Sequence, residues 1–183
     1  AYNRHRKVGL MRSLGRHVGK GWVVLVLLVL TTKPVHAIQT GIRLGVFQPQ
    51  AVTREDTEFS FGLDFLLYRW SRSNLSLSAN WLTIREIGGS ENNLYPIFLN
   101  FKYKLRDYSS AYLYLGVGGG IYFADGDIPT MGLKSGVKGG WNSVFGVEFT
   151  GPKYMSSFIE GGYMASEDPG KSRLWHLEWG IRY

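Results

Sequence analysis

The chain has no cysteine, and after residue 37 it has a single histidine, His176. The absence of cysteine excludes disulfides, thiolate metal sites, a cysteine nucleophile and a lipid-modified cysteine anchor. One histidine without any cysteine also argues against a transition-metal site. The acids Asp125 and Asp127 fall in a predicted loop, where we expect them to be solvated. The sequence therefore predicts neither a metal nor a cofactor.

Net charge is also missing from most of the chain, although the whole sequence carries +7. Seven basic residues and no acids lie in residues 1–37, which leaves 14 basic and 14 acidic residues from Ile38 onward. Nucleic-acid binding requires a concentrated basic surface. No nucleic-acid partner is predicted. The basic residues of the first segment are Arg4, Arg6, Lys7, Arg12, Arg16, Lys20 and Lys33.

No apolar run is long enough for a membrane-spanning helix. The longest, residues 22–30, has nine residues, whereas a spanning helix needs about 20. Basic residues precede this run, and the small residues Val35 and Ala37 follow it, which is the pattern of a secretory signal peptide. We expect a start at Met11 and a leader, residues 1–37, that is cleaved before Ile38. Residues 38–183 then form one domain.

From residue 38 onward the sequence lacks a helical period and shows alternation of apolar with small or polar residues, which is typical of β-strands. In residues 94–106, for example, Tyr95, Ile97 and Leu99 share one face, and the polar residues Asn100, Lys102, Lys104 and Arg106 share the other. The pattern predicts an all-β fold, an eight-stranded antiparallel up-and-down transmembrane β-barrel preceded by a cleavable signal peptide. The predicted strands are residues 38–46, 58–70, 75–85, 94–106, 111–123, 140–150, 153–164 and 172–183.

The links between these strands alternate between short and long. Residues 71–74, 107–110 and 151–152 form short links, and residues 48–57, 86–93, 124–139 and 165–171 form long ones. Short periplasmic turns and long extracellular loops are typical of outer-membrane barrels. We therefore expect the bacterial outer membrane as the location, with both termini of residues 38–183 in the periplasm and the long loops outside the cell.

The soluble alternative is a lipocalin-like barrel or a β-sandwich, which would turn its apolar face inward. Here glycines and charges share one face while Phe, Leu and Trp share the other, which suits a sheet whose apolar face contacts lipid. Outer-membrane lipid is therefore an expected partner. Aromatic girdles are predicted from Tyr95, Trp141, Tyr163 and Trp175 near the loops and from Tyr103, Phe149 and Tyr183 near the turns.

Successive residues of a strand point to opposite faces of the sheet, so the odd or even position of a residue, its parity, gives its face. Parity along the strands predicts a polar network inside the barrel. An eight-stranded barrel has an interior that side chains fill, so we expect the charges there to be paired and no open channel. The predicted members are Arg43, Asp64, Lys102, Lys104, Glu148, Glu160, His176, Glu178 and Arg182.

Toward the loops, the same interior face becomes apolar or small. Inward glycines leave volume that larger side chains would fill, so this region is interpreted either as rim packing or as a pocket for a small hydrophobic ligand. The residues proposed for such a pocket are Leu82, Ile84, Phe98, Gly118, Gly120, Val144, Gly162 and Leu174.

Three stretches resemble the bacterial outer-membrane β-barrel domain family that includes OmpW-like and OmpA-like small barrels: GIRLGVFQP (residues 41–49), FSFGLDF (59–65) and residues 95–123. The resemblance covers residues 38–183 and implies a barrel architecture and, as in OmpW-like barrels, uptake of small apolar compounds. The last strand, ending in Tyr183, also resembles the assembly signal read by the outer-membrane insertion machinery, which is therefore an expected partner.

The expected function is that of a non-catalytic integral outer-membrane barrel, structural or passing small hydrophobic compounds. One alternative is a lipid-modifying enzyme, because some small outer-membrane barrels act on lipid A with His and Ser. Here His176 is followed two residues later by Glu178 and is tied to no serine by a motif. The other alternative is a surface adhesion barrel that acts through the loop of residues 124–139.

Overall fold

A computed structural model describes residues 39–50, 57–85, 89–152, 155–167 and 173–183. The predicted leader, its cleavage site and Met11 lie outside these residues. Among the described residues there is no helix both long and apolar enough to cross a membrane. The strands are β1 (Gln39–Pro49), β2 (Glu58–Arg69), β3 (Ser73–Arg85), β4 (Glu91–Asp107), β5 (Ala111–Asp125), β6 (Gly136–Thr150), β7 (Ser156–Ser166) and β8 (Arg173–Arg182).

These strands form one closed barrel in which each strand pairs antiparallel with the next. The barrel closes through β1 and β8, with Gly41 opposite Arg182. Beyond the end of β8, Tyr183 donates to the Thr40 carbonyl at 2.9 Å and accepts from the Thr40 amide at 3.2 Å. The predicted eight-stranded antiparallel barrel is confirmed. Closure leaves none of the described strands with a free edge, so no row of unpaired N–H and C=O groups is open to another chain.

Several strands extend further toward the loops than predicted. The β1 strand continues to Pro49, and pairing of β5 with β6 continues to Ala124 opposite Gly136. The predicted loop 124–139 is therefore reduced to residues 126–135. Extra ladder hydrogen bonds outweigh the local turn preference of the glycines in this segment.

The alternation of faces holds along the strands except at two register shifts. One lies between Leu66 and Tyr68, and the other between Lys104 and Arg106. Beyond the second shift, Arg106 pairs with the outward residue Leu113. The prediction that Arg106 shares the inner face is therefore wrong, because the bulge moves it to the outer face.

The outer face is apolar on every strand, and the inner face is polar at one end and apolar at the other. We call the end with the short links (70–72, 108–110 and 151–155) the turn end, and the opposite end the loop end. Outward residues that stay substantially exposed include Leu44 on β1, Phe61 on β2, Trp81 on β3, Phe101 on β4, Val117 on β5, Phe145 on β6, Ile159 on β7 and Leu177 on β8.

Candidate functional site: the barrel interior

The turn half of the interior is organised around Arg43 on β1. Glu160 on β7 and Glu178 on β8 are directly opposite each other in the register, a pairing of like charges that is destabilising by itself. Arg43 Nη2 lies 2.6 Å from Glu160 Oε1 and 2.5 Å from Glu178 Oε2. All three side chains are almost fully buried. A single guanidinium group therefore bridges two carboxylates that the strand register places next to each other.

A second arginine, Arg182 on β8, joins two further carboxylates. Its Nε lies 2.5 Å from Asp64 Oδ2 on β2, and its Nη1 lies 2.5 Å from Glu148 Oε2 on β6. Asp64 Oδ1 is also 3.5 Å from Arg43 Nη1, so the two arginine centres are linked. Arg69, which is partly exposed at the turn end, contacts Glu148 Oε1 at 2.7 Å. These contacts connect strands on opposite sides of the barrel.

Three cations surround the ring of Phe158 on β7. The guanidinium carbons of Arg182 and Arg43 lie 4.3 and 5.3 Å from its centroid, and Lys102 Nζ lies 5.5 Å from it. Lys102 forms an ion pair with Glu160, which also accepts a 2.8 Å hydrogen bond from the Tyr114 hydroxyl. The aromatic ring and the carboxylates together hold the cations in place in a region without bulk water.

The network is balanced in charge and reaches across the lumen. The four carboxylates are contacted by four cations, if Arg69 at the rim is included. The participating residues come from β1, β2, β4, β5, β6, β7 and β8. Because each ion pair needs a specific register between strands, the network favours one closed arrangement of the barrel over slipped alternatives.

Two predicted network members have different environments. Lys104 is only partly buried, and its described contact is with the ring of Tyr112, 4.4 Å from Nζ to the centroid. His176 is buried, with Nδ1 3.1 Å from Glu178 Oε2 and its ring stacked on Phe47 at 5.5 Å. Lys104 thus lies at the edge of the network, and His176 lies at its boundary with the apolar half.

The loop half of the interior is a packed apolar cluster. It includes Leu82 and Ile84 on β3, Leu94 and Phe98 on β4, Tyr122 and Ala124 on β5, Met164 on β7, Leu174 on β8 and Phe47 on β1. Phe98 and Tyr122 contact edge to face, with ring centroids 5.3 Å apart. The predicted apolar character of this region agrees with the side chains that the barrel places there.

Part of the β5–β6 loop closes this half of the barrel, and we call residues 127–134 the cap. Ile128, Met131 and Leu133 are almost fully buried and belong to the same apolar cluster. The cap contains a short 3-10 turn, Pro129–Met131, which ends at Gly132 in the left-handed conformation (φ 63°). Backbone hydrogen bonds between Ile128 and Leu133, 2.8 and 3.1 Å long, hold its base. Such a conformation favours glycine, so the sequence determines the end of this turn.

Side chains anchor the cap to the strands. Asp127 Oδ1 accepts a 2.8 Å hydrogen bond from the Ser135 amide. Asn92 on β4 donates from Nδ2 to the Asp127 carbonyl at 2.9 Å. Asp127 therefore acts locally as a loop acceptor, a role that its charge alone did not indicate.

Comparison with known proteins supports this architecture at the level of the fold. No protein-family model and no curated protein matches the sequence. The solved structure of Neisserial surface protein A (NspA) is similar, with a TM-score of 0.67, 15% identity, and coverage of 82% of this chain and 98% of that one. Ail, the attachment invasion locus protein of Yersinia pestis, gives a TM-score of 0.51 at 13% identity, with coverage of 80% and 96%.

These neighbours are small eight-stranded outer-membrane barrels. The chain has their fold. At such low identity the similarity extends to the barrel and its strand order, and the interior residues have to be interpreted from this chain alone.

The inward glycines are packed against the chain's own atoms, which corrects the expectation that they leave open volume. A Cβ at Gly118 would overlap Asn100 and Asn142, and one at Gly162 would overlap the imidazole of His176. A Cβ at Gly120 would collide with the Ile97 carbonyl on β4.

The other residues proposed for the pocket, Leu82, Ile84, Phe98, Val144 and Leu174, are almost fully buried. An apolar ligand would have to displace these atoms or the cap. Ligand binding in this half of the barrel stays a prediction.

Sequence reasoning missed three features of the interior. Phe158 is two residues before Glu160, so parity alone would have placed it inside. The cap carries Ile128, Met131 and Leu133 within a loop, and three apolar residues there were a signal of burial that the adjacent acids obscured. Phe47 was missed because β1 was predicted to end one residue earlier.

Proposed function

We propose that the chain is a non-catalytic integral barrel of the bacterial outer membrane with an interior closed to ions and polar solutes. The observation that carries the proposal is that the barrel has polar side chains inside and apolar side chains outside, the reverse of a soluble protein. Ion pairs fill the turn half of the interior, while apolar side chains stay exposed on the outside of every strand. A continuous apolar surface of this kind is unfavourable in water and favourable in a bilayer.

Aromatic residues at the loop end support a membrane position. On the outer face, Trp141, Tyr163 and Trp175 form a row across β6, β7 and β8, with ring centroids 5.6 and 4.9 Å apart. Such amphipathic rings are enriched where the apolar core of a bilayer meets its polar surface. With the loop end outside the cell, both ends of the barrel domain would lie in the periplasm and Tyr183 would be available to the insertion machinery.

Reconstitution tests the membrane assignment. Because a closed barrel resists unfolding by detergent until it is heated, the purified protein is expected to migrate differently on a gel before and after boiling. It should also enter phospholipid vesicles and give a β-type circular dichroism spectrum. Helical circular dichroism, or a soluble monomer without detergent, would contradict the proposal.

The interior predicts negligible ion conductance in planar bilayers. Leu82, Leu94 and Phe98 seal the loop half, and the network around Arg43 and Phe158 seals the turn half. A matched variant that lacks the cap should also remain closed, because the polar network is independent of the loop. A large, stable conductance from purified monomer would refute a closed interior.

Passage of small hydrophobic compounds is the second candidate, and the observation that favours it is the cap. The cap covers the apolar cluster at the loop end and adds Ile128, Met131 and Leu133 to it. If this segment opens, it exposes an apolar chamber above a polar floor. Deleting residues 127–134 should then raise uptake of a small apolar dye by cells, whereas Lys104→Ala should leave uptake unchanged. Equal uptake with and without the cap would favour a purely structural barrel.

His176 gives no support to the lipid-modifying alternative. Its ring is buried between Phe47 and Gly162, and among the described residues its Nε2 has no hydrogen-bond partner. A general base must reach the proton that it removes. Activity on lipid A that is lost in His176→Ala would overturn the non-catalytic assignment.

A further inference from the structure

The outer wall of the barrel contains a groove between β6 and β8, with a volume of about 930 Å³. Its floor lies at Gly161 on β7, which is the register partner of Phe145 on β6 and of Leu177 on β8. The surrounding outward side chains are bulky, so a single residue without a side chain interrupts the apolar row. The walls are formed by Leu115, Phe145, Val147, Ile159, Trp175 and Leu177.

Gly161 differs from the inward glycines because the space beside it is open. A Cβ there would have the His176 carbonyl oxygen 3.7 Å away as its nearest neighbour, which is an ordinary contact. At Gly162 and Gly180 a Cβ would collide with its neighbours. Packing within the barrel therefore does not require glycine at position 161. The groove exists because Gly161 has no side chain to fill it.

The groove continues toward the loop end past a second small residue. Ser143 faces outward on β6, where it pairs with Val117 on one side and Tyr163 on the other. On β8, Arg173 lies two residues closer to the loop end than Trp175. It is exposed and, like Trp175, faces outward by parity. Gln50 also lines this mouth, and its backbone N–H donates to the Arg173 backbone carbonyl at 2.8 Å. The apolar groove in the wall thus ends beside the cation of Arg173, near the aromatic row.

We infer that this groove binds one acyl chain of a membrane lipid whose anionic phosphate headgroup contacts Arg173. An acyl chain fits an elongated apolar channel, and a phosphate complements a guanidinium at its polar end. The volume is within the range of about 300–1,000 Å³ in which small molecules bind proteins. The inference rests on the proposed function, because a lipid occupant requires the outer face to lie in a bilayer.

Native mass spectrometry of the folded protein in detergent tests the inference. Dimyristoylphosphatidylglycerol is the anionic probe, and dimyristoylphosphatidylcholine has the same chains without the net charge. One phosphatidylglycerol should be retained by the wild type. Gly161→Leu and Ser143→Leu should each weaken retention about tenfold, the loss expected when roughly two methylene groups are expelled from an apolar contact. Arg173→Gln should reduce phosphatidylglycerol binding to the level of phosphatidylcholine.

Ala79→Leu is the matched control. Ala79 is also a small residue in an outer row, between Leu63 on β2 and Ile97 on β4, but it does not line the groove. The same added side chain there should leave lipid retention unchanged. Heat-modifiable migration of each variant shows that it has folded.

Three results would overturn the inference. The first is equal lipid retention by the wild type and Gly161→Leu, and the second is a loss of retention in Ala79→Leu as large as that in Gly161→Leu. The third is a protein dimer that disappears in Gly161→Leu, because the occupant of the groove would then be a second copy of the chain. If Arg173→Gln leaves the preference for phosphatidylglycerol intact, the headgroup assignment is wrong. A protein that enters vesicles but retains no lipid contradicts only this inference, whereas one that does not enter vesicles contradicts the proposed function as well.

Discussion

Arg43→Met is expected to lower the free energy of unfolding by about 3–5 kcal/mol, the loss typical when one partner of a buried ion pair is removed. Arg43 is the only described group that bridges Glu160 and Glu178, which are opposite each other in the register. Methionine would fill much of the volume but leave two carboxylates adjacent in the interior. Urea unfolding of the barrel in lipid vesicles, followed by tryptophan fluorescence, measures the change.

Two variants separate this charge effect from a loss of packing. Lys104→Met removes a cation whose described contact is the Tyr112 ring, so its cost should be about 1 kcal/mol or less. Adding Glu178→Gln to Arg43→Met removes the carboxylate that has lost its cation, while Glu160 keeps its ion pair with Lys102, and should recover a large part of the stability. If Arg43→Met and Lys104→Met cost the same, the bridging role of Arg43 is wrong.

Gly120→Ala should lower the free energy of unfolding by about 1–3 kcal/mol, the usual cost of adding a group to a filled space. The new Cβ would collide with the Ile97 carbonyl and lie 2.8 Å from the Phe98 Cα. Because both obstacles are backbone atoms of β4, a side-chain rotation cannot relieve the collision. Gly120→Trp is therefore expected to prevent folding, rather than to fill a pocket in an intact barrel.

Gly161→Ala is the control for this effect, because the same methyl group there meets open space. Its stability should be unchanged or higher by up to about 1 kcal/mol, since alanine loses less backbone entropy than glycine in a strand. Heat-modifiable migration and urea unfolding of the two variants give the comparison. A Gly120→Ala protein as stable as Gly161→Ala would show that β4 and β5 are further apart at this level than the structure places them.

The barrel itself was predictable because a period of two assigns each side chain to one of two faces. A one-residue slip would have placed Phe145 inside and Glu148 outside, so the pattern determined the register of the faces. Parity also identified Arg43 and Arg182 as interior residues. It failed at Arg106, where a bulge that has no marked sequence signal reverses the alternation.

The details of the interior could not be predicted in the same way. Parity gives the face of a side chain but neither its height nor its rotamer, so the bridge from Arg43 to Glu178 was not foreseeable. Alternation likewise cannot tell whether an inward glycine leaves a cavity or makes room for a neighbour. At Gly162 it makes room for His176, and at Gly180 for the ring of Phe158.

The absence of cysteine allows the central claim to be tested directly with single-cysteine variants carrying a spin label in phospholipid vesicles. Phe101, Val117 and Leu177 are suitable outward sites, with Ser110 in a short turn and Lys134 in the cap as controls. If the outer face lies in the bilayer, labels at the outward sites will collide with oxygen far more than with a water-soluble nickel chelate, and labels at the controls will show the reverse. Outward labels that meet the nickel chelate as freely as the controls would contradict the account.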